Sequence, residues 1–406
     1  MTFCFLWVII SKSSGGIAQL VRAPALQAGG HRFESYCPHQ ILTATKVAVL
    51  FLSKSYFPAV FSVFQQKRLF LLYRFYSIIV SGDFMKHIVN TVSENLWLEQ
   101  YKDKADMNKF ISDCLCDGCE VIRGGEDYTG IYDKDNVIGV HLFFYPAWLD
   151  FWNNDIEKLK LHFGTQETWE GYYRAKNREE FLLPYRADME YAEAMGAEYV
   201  VFHVNDVSNE EVITYKWEHS DEEVIRAVAE IVNELTKGKN YHFKLLFENL
   251  FTPGMMLLKP AETALMLELT DYENKGILMD TGHLMCAPQN ITSEEQGIDF
   301  VLETVRNHGE LAKEFKALHL HKSTTGEYIQ KHKATFIEPK EDFYERWAQG
   351  YDIILNIDMH QPFENPRVQE ILELVEPEYV THEISAKNRE EKLEKVLVQM
   401  KALGRI

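Results

Sequence analysis

From residue 85 onward the chain alternates short apolar runs with longer stretches of helical periodicity. The runs HIVNTV (87–92), CEVIRG (119–124), VIGVHLFF (137–144), YVVFHVN (199–205), FKLLFEN (243–249), KGILMD (275–280), KALHLH (316–321) and EYVTHEI (378–384) are each dominated by apolar residues. Strands buried on both faces read this way, as in parallel sheets covered by helices. Between them DEEVIRAVAEIVNELTK (221–237), FVLETVRNHGELAKEF (300–315) and NREEKLEKVLVQMKAL (388–403) set apolar residues on one helical face. Eight strands with intervening helices predict a (β/α)8 TIM barrel over residues 85–406. An open doubly wound sheet is the alternative, disfavoured because no Gly-rich phosphate turn follows an early strand and RGGED (123–127) is too short to serve. Two insertions interrupt the rhythm, an aromatic-rich one at 145–185 and another at 322–357. Such insertions after barrel strands either cover the mouth or add packing.

Residues 1–84 do not share the pattern. Their apolar stretches VAVLFLS (47–53) and LFLLYRFYSIIV (69–80) are too short to span a membrane. The segment GGIAQLVRAPALQAGGHRFESYCPHQ (15–40) resembles the peptide read from a transfer-RNA gene. IAQLVRA back-translates to a D-arm, PALQAG to an anticodon stem and loop, HRFES to a T-arm and CPHQ to the acceptor tail, in gene order. The expectation is therefore a gene start placed too far upstream and a protein that begins at Met85. The intact mass of the native protein tests this, since a species retaining residues 15–40 would refute it.

Charge narrows the partners. The formal net charge is −19, and residues 1–84 carry eight Lys/Arg against only Glu34 and Asp83, so the acidic excess lies wholly in the barrel region. A surface that acidic repels phosphate backbones, and no Lys/Arg run offers a basic groove, so a nucleic-acid partner is not expected. Six cysteines are present, three of them in CLCDGC (114–119) without the second ligand pair of a zinc site. They read as buried free thiols, which suits a reducing cytoplasm.

The candidate chemistry lies at the strand ends, where barrel active sites form. His141, His203, Glu248, Asp280, His283, His319 (with His321 beside it) and Glu383 all occupy such ends, and Asp358 and His360 follow in IDMHQPF. Each has a plain reading alone: His141 or His203 as a bonded core histidine, Asp280 as a helix cap, His382-Glu383 as a surface pair. Together they are costly to bury unless paired or bound to metal.

Four segments carry a resemblance: FEN (247–249), MDTGH (279–283), ALHLH (317–321) and THE (381–383). With the strand pattern of 85–406 they resemble the xylose-isomerase-like barrel superfamily, which includes sugar isomerases, sugar epimerases and endonuclease IV (AP endonuclease family 2). The ketose 3-epimerase branch implies one Mn²⁺ or Mg²⁺ held by Glu248, Asp280, His319 and Glu383, with His319 preferred to His321 because Leu320 follows it. Glu248 and Glu383 would then exchange protons with a sugar or sugar phosphate through an enediolate. His283, His203 and His141 would contact substrate. The endonuclease IV branch implies instead a multinuclear Zn²⁺ hydrolase that adds His141, His203, His283, Asp358 and His360 to the ligands. There the spacing between His319 and Asp358 departs from the family, lengthened by the 322–357 insertion. A barrel that binds sugar without turnover is a third possibility, and a homo-oligomer stays open.

Overall fold

The computed structural model describes residues 8–10, 19–21, 85–124 and 130–406. In the first part, β1 (Val8–Ile10) and β2 (Gln19–Val21) pair antiparallel, Val8 opposite Val21. The remainder of 1–84, with the transfer-RNA reading of 15–40 and the start at Met85, lies outside the described residues, as do 125–129.

Eight parallel strands close a barrel in chain order: β3 (Lys86–Val92), β4 (Gly118–Ile122), β5 (Val137–His141), β6 (Tyr199–His203), β7 (Lys244–Glu248), β8 (Lys275–Asp280), β9 (Phe315–His319) and β10 (Tyr379–His382), which returns to β3. All eight predicted runs form strands. Several stop one to three residues early, although Leu142, Val204 and Leu320 just beyond the ends still donate their backbone N–H groups to the neighbouring strand.

Alternation divides the apolar side chains into two layers. Ile88, Ile138, Tyr199, Val201, Leu246, Leu278, Ala317 and Tyr379 fill the barrel interior. The opposite faces of the strands form one continuous core with the surrounding helices. The interior is tight: a Cβ on Gly139 would stand 2.3 Å from the Tyr199 ring, so that position admits only glycine. Local sequence starts the helices. Ser220 and Glu223 cap one another at the start of Asp221–Thr236, whose Val224, Val228, Ile231 and Leu235 are buried. The helix expected over 300–315 instead runs Glu294–His308, since Gly309 at φ +55° ends it and a 3-10 turn leads into β9. Among the described residues no helix is long and apolar enough to cross a membrane.

The first insertion is chiefly packing. Tyr145, Trp148, Phe151, Trp152, Phe163, Trp169, Tyr173 and Phe181 are buried together. The second contributes helices Gly326–Ala334 and Phe343–Ile357, which join residues 207–213 in a separate apolar cluster. Cys114, Cys116, Cys119 and Cys286 are free thiols. The helix before the first three ends at Asp113, one residue short of Cys114.

Between strands and helices lies a buried histidine pair, with His87 Nδ1 3.0 Å from His382 Nε2. His382 is fully buried, which removes the surface reading of His382-Glu383. Burial, helped by the charge of Arg405, holds the His87 imidazole down to about 3. An unfolded histidine takes up a proton near 6.5, whereas folded His87 resists it until far lower, so stability is complete above about pH 6.5 and falls as pH drops toward 3. The cost is about 1.4 kcal/mol per pH unit in that window. Urea unfolding at pH 7 and pH 5 is expected to show His87→Gln losing about 2 kcal/mol less than the wild type over that step. Equal losses would place the protonation elsewhere.

Candidate metal centre

The mouth is assembled from strand tips whose register sets neighbouring donors side by side. His203 pairs with Glu248 across β6–β7, Asp280 with His319 across β8–β9, and Thr381 with His319 across β9–β10. The nine expected donors come together there in three sets, which are His141, His203 and Glu248; Glu248, Asp280, His319 and Glu383; and His283, Asp358 and His360. Within each set the donor atoms lie within 4.8 Å of one another. Glu248 belongs to two of them. Its Oε2 lies 3.2 Å from Nε2 of both His141 and His203, while Oε1 lies 3.3 Å from Nδ1 of His319.

Three histidines are aimed in the same way. Nδ1 of His141 donates to the Leu142 carbonyl at 2.9 Å, that of His283 to the Asn249 carbonyl at 3.0 Å, and that of His360 to the Glu383 carbonyl at 3.2 Å. Each backbone carbonyl thus fixes the ring and leaves Nε2 facing the site, the arrangement metal-ligating imidazoles adopt. Nε2 of His283 and of His360 then converge on Asp358 Oδ2, at 3.0 and 2.5 Å. His360 holds a left-handed backbone at φ +46°, unusual for a residue with a side chain and in keeping with a functional turn.

Asp280 is the helix cap expected of it and still turns one oxygen toward the other candidate donors. Oδ1 accepts from the His283 backbone N–H at 2.6 Å and caps the helix Thr281–Cys286, while Oδ2 faces His321 Nε2 at 2.8 Å. Asn249 clamps the same tip, donating to the Asp280 carbonyl at 3.1 Å and accepting from its N–H at 2.8 Å. His321 stacks flat on His360, rings 4.1 Å apart, and groups with His360 and Glu383, while His319 stands in the four-donor set.

Sequence reasoning missed Glu120. Its carboxylate is fully buried on the inward face of β4, accepting from Tyr199 Oη at 2.7 Å and Thr381 Oγ1 at 3.0 Å, and it meets His319 Nε2 at 3.0 Å. That contact turns His319 so that Nδ1 points at the other donors. A charged residue inside an apolar strand was the available signal.

The electrostatics are those of a dense ion-pair network. Burial would push the Glu248 carboxyl up, but His319, His203 and His141 outweigh it and hold it well below the usual range. Asp358 is likewise held low, its burial overcome by His360 and His283. Burial would lower His360, yet Asp358 and Glu383 bring it up to about 9. For His203 burial prevails and the ring is lowered, while its neighbour His141 is raised by Glu248.

These residues fit divalent cations. Buried His319 Nδ1, His321 Nδ1 and Glu383 Oε2 have no hydrogen-bond partner, although His319 Nδ1 and Glu383 Oε2 lie 2.8 Å apart. Nε2 of His141 and of His203 face each other at 2.9 Å across Glu248. Mixed imidazole and carboxylate sets of three and four donors suit Zn²⁺ or Mn²⁺.

A family model described as xylose isomerase-like TIM barrel matches residues 173–341. No curated protein matches the chain. Similar solved structures include an IolI protein with a bound zinc atom, at 12% identity and TM-score 0.46 over 79% of this chain and 99% of that one. Endonuclease IV from Thermus thermophilus aligns at 12% identity and TM-score 0.43, covering 79% and 100%. The 3-keto-D-glucoside 4-epimerase YcjR from E. coli aligns at 12% and 0.40, covering 78% and 99%.

Proposed function

Starting from a xylose isomerase-like TIM barrel, we propose that this chain is a multinuclear metal-dependent hydrolase acting on a small phosphorylated or sugar-like ester. The observation that carries the reading is the grouping of nine donors into three sets, two of which share Glu248. A single-ion site needs only the four-donor set, gives His283 to the substrate and leaves Asp358 and His360 without a purpose. Cations held there would supply Lewis-acid polarisation of a substrate oxygen and a water that loses its proton readily. Glu248 spans two sets with its two oxygens, Asn249 and Glu120 orient Asp280 and His319, and Glu383 is the carboxylate placed to take or return a proton. Phe144, its ring 4.3 Å from that of His203, screens one side from water. The acidic chain favours a small substrate over a nucleic acid.

The second reading is the sugar or sugar phosphate isomerase expected first from the sequence. It is favoured by the completeness of the set Glu248, Asp280, His319 and Glu383, with two carboxylates flanking one histidine. Asp358→Asn separates the two. For the hydrolase it is expected to lower bound metal by one ion per chain and phosphoester cleavage about a hundredfold. If instead metal content holds and solvent deuterium enters a keto-sugar at the wild-type rate, the isomerase reading stands. Chelation followed by return of Zn²⁺, Mn²⁺ or Mg²⁺ identifies the ion in the same assay.

A further inference from the structure

A second cluster of donors lies away from the mouth, where the aromatic insertion meets the segment after β6. Asp150 comes from helix Leu149–Asn153, His162 from helix Ile156–Phe163, and Glu218 and His219 from the turn that follows Tyr215. Nε2 of His162 lies 3.4 Å from Glu218 Oε2 and 3.6 Å from Asp150 Oδ2, and Nε2 of His219 lies 3.2 Å from Asp150 Oδ1. Two of these separations are too long or marginal for strong hydrogen bonds. They match the edges of a tetrahedron about zinc, roughly 3.3 Å for ligand bonds near 2.0 Å. The four side chains line a cavity of ≈ 30 Å³ to which none of the nine mouth donors contributes.

The cluster is held from behind. Asp206 Oδ1 accepts from the N–H groups of Trp148 and Leu149 at 2.7 and 2.9 Å, fixing the helix that carries Asp150. Arg346 donates to the His162 carbonyl at 2.5 Å, and the Glu218 N–H donates to Glu211 at 2.7 Å. Lys158 is a cation set against the donors. Its Nζ stands 3.6 Å from Asp150 and 3.7 Å from Glu218, at ion-pair range, and 3.5 Å from Nε2 of His219. Its side chain is one-third exposed, so it can withdraw to solvent on its long stem.

We propose that Asp150, His162, Glu218 and His219 form a divalent-cation site of zinc type, separate from the barrel mouth, that clamps the 145–185 insertion to the loop after β6. Lys158 is a placeholder cation that zinc displaces. The test measures zinc bound per chain and the thermal midpoint of stripped, full-length protein, for the wild type, the His162→Ala/His219→Ala double variant and Lys158→Met. The double variant is expected to bind one zinc fewer and to lose part of the zinc-induced rise in Tm, with mouth activity within twofold of wild type. Lys158→Met should tighten one zinc about tenfold by removing the competing charge. Equal zinc counts in wild type and a folded double variant would overturn the site, as would unchanged zinc uptake in Lys158→Met, which marks a plain salt-bridge cluster. Should the double variant not fold, Glu218→Gln on the exposed rim is read for the same weakened zinc. The readout is a difference between variants, so it succeeds or fails whatever number of ions the mouth takes.

Discussion

Glu248→Ala is expected to lower turnover about a thousandfold and to release metal from two of the three donor sets at once. Its two oxygens face different partners, so no single neighbour can replace it. Loss of charge stabilisation worth several kcal/mol at the reacting centre converts to that factor, at tenfold per 1.36 kcal/mol. Elemental analysis and steady-state kinetics on the same preparation check both halves. The carboxylate also anchors His141, His203 and His319 in one cluster. A variant that keeps its full metal complement would show that Glu248 is not shared.

Gly282→Ala is the second large effect expected, and it concerns packing. A Cβ at this position would lie 1.9 Å from His321 Cε1 and 2.2 Å from its Nδ1. The ring cannot retreat, because it is wedged between Asp280 and the parallel face of His360. Either the helix Thr281–Cys286 shifts or the stack opens. Overpacking of this kind costs about 1–3 kcal/mol, and the displaced His360 should lose its share of metal. Chemical denaturation gives the first figure. A metal count one ion below wild type, in protein that still folds, gives the second. Wild-type stability would mean that the mouth is looser than its contacts suggest.

Much of this was legible in the sequence because the two relevant signals are local. An apolar run marks a buried strand, and a polar residue at its end marks the mouth, so β3 to β10 and the nine side chains that meet there could be read without a third dimension. Grouping was not legible. Which tip faces which depends on barrel register, and the Asp280–His319 and His203–Glu248 neighbours exist only once the sheet closes. Glu120 was hidden because it sits in mid-strand rather than at an end, held by Tyr199 and Thr381 from distant strands. For Asp280 the cap and the ligand readings do not exclude one another, since a carboxylate has two oxygens and the cap uses only one, leaving the other toward His321. The helix expected to 315 failed at Gly309, where a left-handed residue outweighs the apolar periodicity around it.

The third donor set has an origin unlike the other two. Asp358 and His360 are carried at the end of helix Phe343–Ile357, not on a strand, and are tied down by Ser323 donating to Asp358 and Thr325 donating to the Ile357 carbonyl. The strand tips therefore carry two of the candidate donor sets by themselves, while an appended segment brings Asp358 and His360 to the third. A barrel of this design can change the class of reaction it supports by acquiring or losing one surface excursion, with every strand left as it was. Nuclearity would then be a property of the decoration, inherited separately from the scaffold.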